Sequence, residues 1–94
     1  MAIVACNIHL QLNDVHSLKE KRRILKSIIT RIGREFNVAI AEVDHHDLWQ
    51  SSTLCLVTVS NDGAYAHGLL ERAVEWVEVN RPDLQLLSYD IENR

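Results

Sequence analysis

The sequence has few of the residues that characterise cross-linked, metal-bound or irregular proteins. Its 94 residues include three glycines, one proline and two cysteines, which excludes a collagen-like, a low-complexity and a disulfide-rich chain. The cysteines, Cys6 and Cys55, lie far apart and without CxxC spacing. They therefore predict neither a zinc ligand pair nor a thioredoxin-like motif, and we expect both to be buried free thiols.

Long apolar runs are also absent. No run approaches the roughly 18 residues that a membrane span requires, and the N-terminal MAIVACNIHLQL lacks the basic flank and cleavage site of a signal peptide. We therefore expect a cytoplasmic protein with no membrane partner. The length predicts a single domain over residues 1–94.

The first third of the chain predicts a strand followed by a helix. Residues 2–12 alternate between two faces, and the apolar residues of one face are Val4, Cys6, Ile8, Leu10 and Leu12. The motif SLKE predicts a capping box, in which Ser17 and Glu20 each accept from the other's backbone N–H. The helix begins there and ends near Phe36, with apolar residues along one side at three- and four-residue spacing.

The remaining residues predict two strands, a second helix and a last strand. Residues 37–43 and 51–60 are rich in β-branched residues, and the segment between them is polar. A helix then begins near SND and runs to about Val79, and a fourth strand places Leu87, Tyr89 and Ile91 on one face. The order β-α-β-β-α-β predicts an α+β ferredoxin-like sandwich, a four-stranded antiparallel sheet with two helices on one face.

Several functions that this fold supports require residues that the sequence lacks. An RNA-recognition motif stacks bases on aromatic residues of its two central strands, but the first and third strands contain no Phe, Tyr or Trp. A soft-metal carrier of this fold requires paired thiolates before the first helix. An acyl-phosphate hydrolase requires an arginine in the same segment. The segment NDVHS contains neither, so we predict no catalytic residue, no cofactor-binding residue and no metal ligand.

The segment DHHDLW, which begins at Asp44, is the remaining candidate for chemistry. In an extended chain Asp44 and His46 share one side while His45 and Asp47 share the other, which allows two carboxylate–imidazole pairs. Polar residues between strands more often form a solvated turn, and a tryptophan at such a position more often packs the loop onto the sheet edge. The candidate loop site consists of His45, His46, Asp47 and Trp49.

The first helix concentrates positive charge on a protein whose formal net charge is -3. Lys19, Arg22, Arg23 and Lys26 follow the spacing i, i+3, i+4, i+7 and form one continuous row, which we call the basic stripe. From Lys19 to Glu35 the helix has seven basic and two acidic residues, whereas residues 62–79 have one basic and four acidic. Two explanations stay open. Either the oppositely charged helices attract each other and the rest of the stripe is a solvated surface, or the stripe contacts a nucleic-acid backbone.

The sheet face without helices offers another class of function. His9 lies there beside Asn7 and Gln11, and we expect it to be a surface or interface residue. The second and third strands are apolar on both sides, so that one apolar set faces away from the helices. An exposed apolar sheet face is typical of association, which predicts a homodimer or a partner-docking surface.

Three segments in order resemble one family. HSLKEKRR at 16–23, FNVAIAEVDHHDLWQ at 36–50 and VSND at 59–62 resemble the YlxP-like proteins, a bacterial group of unknown function. The resemblance covers essentially the whole chain. It implies a ferredoxin-like sandwich and a small cytoplasmic protein whose gene commonly lies among those of translation initiation and ribosome maturation factors, and it implies no catalytic residues. The residues that match the family's basic and loop motifs are Lys19, Lys21, Arg22, Arg23, Asp44, His45, Asp47, Leu48, Trp49 and Gln50.

The sequence therefore leads to three hypotheses. The first is a non-enzymatic protein that associates with RNA or the ribosome through the basic stripe. The second is a structural homodimer or protein-interaction module that uses the open sheet face. The third is a metal or acid–base site in the loop from Asp44 to Asp47.

Overall fold

The chain forms one antiparallel sheet with two helices packed on one of its faces. The computed structural model describes residues 1–94. Its elements are β1 (Ala2–Gln11), α1 (Leu18–Glu35), β2 (Ala39–Asp44), β3 (Ser51–Ser60), α2 (Gly63–Asn80) and β4 (Gln85–Asn93). The strand order is β2-β3-β1-β4, so that β1 and β3 are central and β2 and β4 are edges. The predicted ferredoxin-like βαββαβ arrangement is confirmed.

The core lies between the helices and one face of the sheet. All five residues that alternation assigned to the core face of the first strand segment are buried. They pack against the apolar side of each helix because both helices place apolar residues at three- and four-residue spacing. The helix residues of this core are Leu25, Ile28, Ile32, Ala66, Leu70, Ala73, Val74 and Val77. Neither helix is long and apolar enough to cross a membrane.

Side-chain caps begin both helices. The Oγ of Ser17 accepts a hydrogen bond from the Glu20 N–H at 3.1 Å, so α1 begins where the SLKE motif predicts. The reciprocal bond from the Ser17 N–H to the Glu20 side chain is not formed, so only half of the predicted capping box is present. Asp62 caps α2 by accepting from the N–H groups of Ala64 and Tyr65.

A register shift changes the predicted face of β4. The partners of β1 step from Ser88 to Leu86 between His9 and Leu10, which leaves Leu87 as an extra residue in β4. Leu87 is consequently exposed, whereas Leu86 and Ile91 pack against the core. The prediction that Leu87, Tyr89 and Ile91 share one face is therefore wrong for Leu87, because a strictly alternating pattern takes no account of a bulge.

Strand pairing decides which apolar residues face away from the helices. Ala39 pairs with Val57 and Ala41 with Cys55, while the alternate residues Leu54 and Leu56 are fully buried. The apolar patch of the open sheet face consists of Ala39, Ala41, Val43, Cys55, Val57 and Val59. Cys6 is buried, but Cys55 is partly exposed on this patch, so the prediction that both thiols are buried is wrong for Cys55.

The two thiols are expected to differ in reactivity. Burial, together with the nearby Asp90 and Cys55, raises the pKa of Cys6 to about 12, and only the thiolate is nucleophilic. We expect iodoacetamide at neutral pH to alkylate Cys55 in the folded protein while Cys6 reacts only after unfolding, as measured by peptide mass spectrometry. Equal modification of both thiols in the native protein would contradict the assignment of these faces.

Candidate functional site: the basic stripe and the β2–β3 loop

The basic stripe is exposed along the first half of α1. The side chains of its four residues point to solvent. Together with Ser17 and Glu20 they line a shallow depression of about 610 Å³ that contains no apolar side chain. The spacing that defined the stripe in the sequence thus produces one continuous cationic surface.

Most of the other basic residues form an ion pair or a cation–π contact, whereas those of the stripe do not. None of Lys19, Arg22, Arg23 and Lys26 forms an ion pair, and Arg34 near the end of α1 also has none. The engaged residues form the ion pairs Lys21–Glu42, Arg31–Glu35, Arg81–Asp83 and Arg94–Glu92, or, for Arg72, lie over Tyr65. The unpaired positive charge of the protein is therefore concentrated on α1.

Contact between the two helices involves little of this charge. No ion pair joins α1 to α2, and the cationic contact between them is Arg31, whose guanidinium lies 5.4 Å from the centroid of the Trp76 ring. Arg31 lies on a flank of α1 between the stripe and the core side. The stripe is therefore not explained by direct pairing with acidic residues of α2.

Lys21 lies in the middle of the basic motif but has a different environment. Its side chain is only 1% exposed, and its Nζ lies 2.8 Å from the Oε2 of Glu42. It also donates hydrogen bonds to the backbone carbonyls of His45 and Leu48, each at 2.5 Å. Glu42 in turn accepts from the Ser52 hydroxyl at 2.7 Å. A buried charge is tolerated only when it is paired and hydrogen-bonded in this way.

Sequence reasoning missed this interaction, although a signal was present. Lys21 is four and seven residues before Leu25 and Ile28, so it lies on the core side of the helix. Glu42 is two residues after Ile40 and shares its face of β2. An opposite-charge pair at two core-facing positions is the pattern that would have predicted it.

The loop between β2 and β3 is a turn rather than an extended segment. His45 adopts a left-handed conformation with φ 63°, and the Leu48 N–H donates to the His45 carbonyl at 3.1 Å. The nearest carboxylate–imidazole contact is therefore between the neighbours Asp44 and His45, at 3.9 Å. His46 instead contacts the Glu42 carbonyl through Nε2, at 3.0 Å. No three His, Cys, Asp or Glu side chains of the protein converge as metal ligands would.

The end of the loop presents two large apolar side chains to solvent. Leu48 is 52% exposed and Trp49 is 47% exposed. The loop backbone is nevertheless held on two sides, by Lys21 through the Leu48 carbonyl and by the Leu12 N–H through the Gln50 carbonyl at 2.9 Å. Backbone contacts therefore hold the loop, and about half of the Trp49 surface is left uncovered.

A second depression lies between the stripe and β2. Arg22 and Lys26 face Glu42 of β2 across a depression of about 260 Å³. Leu25 and Ile29 of α1 contribute the apolar part of its lining. The flank of the stripe that carries Arg22 is thus the flank of α1 that borders β2 and the loop.

The open sheet face has a polar part as well as the apolar patch. Nδ1 of His9 lies 3.2 Å from the Thr53 hydroxyl, and its Nε2 lies 3.6 Å from Asp90. Asn7 donates to the same carboxylate at 3.1 Å. His9 is thus held by neighbours on both adjacent strands, and no cavity lies beside it. Five of the six residues of the apolar patch, all except Val59, line a depression of about 240 Å³ together with Ile40, and this lining is entirely hydrophobic.

Comparison with known proteins identifies relatives of unknown function. The family model described as "Protein of unknown function (DUF503)" matches residues 3–91. The chain is similar to the "Uncharacterized protein YlxP" of Bacillus subtilis (strain 168), with 37% identity over 65 residues. The aligned region covers 69% of this chain and 71% of the relative.

Replacement of Lys21 by methionine should destabilise the protein. The change leaves the carboxylate of Glu42 and two backbone carbonyls without the ammonium group. Removal of one partner from a buried pair costs about 3–5 kcal/mol, measurable by urea unfolding followed by circular dichroism. Replacing both partners, with Lys21→Met and Glu42→Leu, should recover part of this loss, because no unpaired buried charge remains while the Leu48 carbonyl and the Ser52 hydroxyl still lack their partners.

The matched control is Lys19→Met, which removes an equal charge from an exposed and unpaired position of the same helix. It should change the free energy of unfolding by less than about 0.5 kcal/mol. A loss of similar size in the Lys19 and Lys21 variants would show that the Lys21 contacts contribute no more than ordinary surface charge.

Proposed function

Because the chain belongs to the DUF503 family of proteins of unknown function, as its resemblance to YlxP-like proteins predicts, we propose its function from its surface. We propose that α1 binds the phosphate backbone of RNA, free or within the ribosome, through the basic stripe. The observation that carries this proposal is that all four cations of the stripe are exposed and have no acidic partner.

The charge distribution supports binding at the stripe and nowhere else. A polyanion is attracted to a local cationic surface and gains free energy by releasing its condensed counterions. The protein as a whole carries a formal charge of -3 although the stripe contributes +4, so the rest of the protein sums to -7 and on balance repels phosphate. An acidic protein therefore binds RNA only where several cations are close together, as they are on α1.

The mode of contact follows from what the sheet lacks. β1 and β3 have no aromatic residue, so the sheet face does not support the base stacking of an RNA-recognition motif. Contacts from lysine and arginine to phosphate carry no sequence information. We therefore propose backbone-directed binding in the cytoplasm, and the gene neighbourhood that the family resemblance implies makes RNA, rather than DNA, the first ligand to test.

Reversal of charge in the stripe should abolish RNA binding. With Arg22→Glu and Arg23→Glu, two phosphate contacts are replaced by repulsion, so we expect binding to fall below detection in ribosome co-sedimentation and filter assays. For the unmodified protein, log K should fall linearly with log salt concentration, with a slope of about -0.7 to -0.9 for each phosphate contact.

A control with the same net charge separates the stripe from overall acidity. Arg72→Glu with Arg94→Glu changes the formal charge from -3 to -7, as does the stripe variant, because each exchange alters the charge by two. The control residues lie on α2 and after β4, and this variant should bind more tightly than the stripe variant. RNA binding that survives reversal of the stripe, or that shows no dependence on salt, would refute the proposal.

A second candidate function is self-association through the apolar patch of the open sheet face. The observation that favours it is the exposure of Val43 and Val59 in a patch whose other residues, together with Val43, line a hydrophobic depression. Burial of such a surface against its copy removes apolar area from water, and homodimers use the same patch on both subunits. The loop site has no comparable support, since no third metal ligand lies near its histidines.

Light scattering should detect this homodimer. We expect twice the 10.8 kDa chain mass for the unmodified protein, and the mass of one chain after Val43→Lys with Val59→Lys, because a buried lysine without a partner is unfavourable. The control Val79→Lys with Leu87→Lys alters equally exposed apolar residues outside the patch and should stay dimeric. One chain mass for the unmodified protein at high concentration would exclude this candidate.

A further inference from the structure

We infer that the surface formed by the basic stripe and the β2–β3 loop takes single-stranded RNA, with phosphates on the stripe and an unpaired base stacked on Trp49. The inference rests on the proposed function, since it names the form of RNA that the same surface recognises. It also assigns a role to the β2–β3 loop, which has no role if RNA contacts the basic stripe alone.

The exposure of Trp49 is the first argument. An indole is a large apolar surface, and about half of this one remains in water beside an equally exposed Leu48. Proteins that bind single strands combine a cationic path for the backbone with aromatic side chains on which bases stack. The two components are both present here, on α1 and at the end of the loop.

The rigidity of the loop is the second argument. The buried ammonium of Lys21 holds the Leu48 carbonyl, and the Leu12 N–H holds the Gln50 carbonyl. Trp49 therefore lies between two fixed backbone groups and is presented outward. A preorganised platform loses less conformational entropy when a base stacks on it, so Lys21 acts as a positioning residue for Trp49.

The position of the loop relative to the stripe is the third argument. Lys21 reaches the loop from the same helical turn that carries Arg22, and the depression shared by Arg22, Lys26 and Glu42 runs along this flank. In the proposed complex, a strand whose phosphates follow the stripe continues along this flank of α1 to the loop that Lys21 contacts. The other exposed aromatic residues, Tyr65 and Tyr89, lie on α2 and β4, which carry more acidic than basic residues.

The negative charge of the loop favours a contact with a base over a contact with phosphate. Asp44 and Asp47 flank the histidines and repel phosphate, so the backbone of the ligand stays on α1 and a base is the part that faces the loop. A duplex has no free base to offer, because its bases are stacked on one another. The surface should therefore distinguish a single strand from a duplex of equal charge.

The test compares a short oligouridylate with an RNA duplex of the same total number of phosphates, so that the two ligands carry equal charge. We expect Trp49→Ala and Trp49→Leu to weaken binding of the single strand by roughly 5- to 100-fold, and Trp49→Phe to retain most of it. Binding of the duplex should change little in all three variants. Loss with alanine but full retention with leucine would indicate a simple apolar contact and would overturn the inference of stacking.

A fluorescence measurement reports the contact directly. The chain has two tryptophans, so Trp76→Phe leaves Trp49 as the one emitter, and Trp49→Phe leaves Trp76 as its matched control. We expect oligouridylate to quench the first protein and not the second. With Lys21→Met in the Trp76→Phe protein, circular dichroism first confirms that the chain is folded, and the quenching should then weaken because the loop is no longer held.

The results separate this inference from the proposal on which it rests. If neither the single strand nor the duplex binds, the proposed function itself fails. A second outcome is that both ligands bind equally and with the expected salt dependence, while oligouridylate does not quench Trp49 and the Trp49→Ala variant keeps its affinity. In that case the stripe binds RNA and the inference about the loop is wrong.

Discussion

A buried lysine ammonium must form hydrogen bonds with protein oxygens in place of water. In this structure that requirement connects α1 to the β2–β3 loop. Lys21 meets it with the carboxylate of Glu42 and the carbonyls of His45 and Leu48. The same contacts hold the left-handed turn at His45 beside the helix. Because partly satisfied buried polar groups are costly, the loop has one favourable position relative to α1. The position of the β2–β3 loop beside α1 depends on this arrangement.

The sides of α1 perform different tasks, which resolves the apparent contradiction of a basic helix on an acidic protein. One side packs Leu25, Ile28 and Ile32 into the core, and the flank toward α2 carries Arg31 over Trp76. The remaining side holds the basic stripe, without acidic partners. Because side chains three and four residues apart share one side of a helix, a single run of residues supplies both core contacts and a cationic surface.

Much of the candidate surface could be predicted, and the failures have specific causes. The stripe follows from spacing within one helix, so it needed no information about distant residues. The burial of Lys21 depends on Glu42, which is 21 positions away in the chain and comes close only when α1 packs on β2. The extended geometry assumed for the pair Asp44 and His46 failed because a turn with positive φ at His45 interrupts the strand.

Local patterns in the sequence determined the order of the elements, the start of α1 at its Ser17 cap, the core face of β1 and the basic stripe, because periodicity and capping act over a few residues. Tertiary structure alone decided which apolar set of β2 and β3 faces outward, where β4 shifts its register at Leu87, and how Lys21 holds the loop. These features arise from pairing and burial between residues far apart in the chain. Their physical basis is therefore the free energy of contacts that exist only once the sheet and helices have assembled.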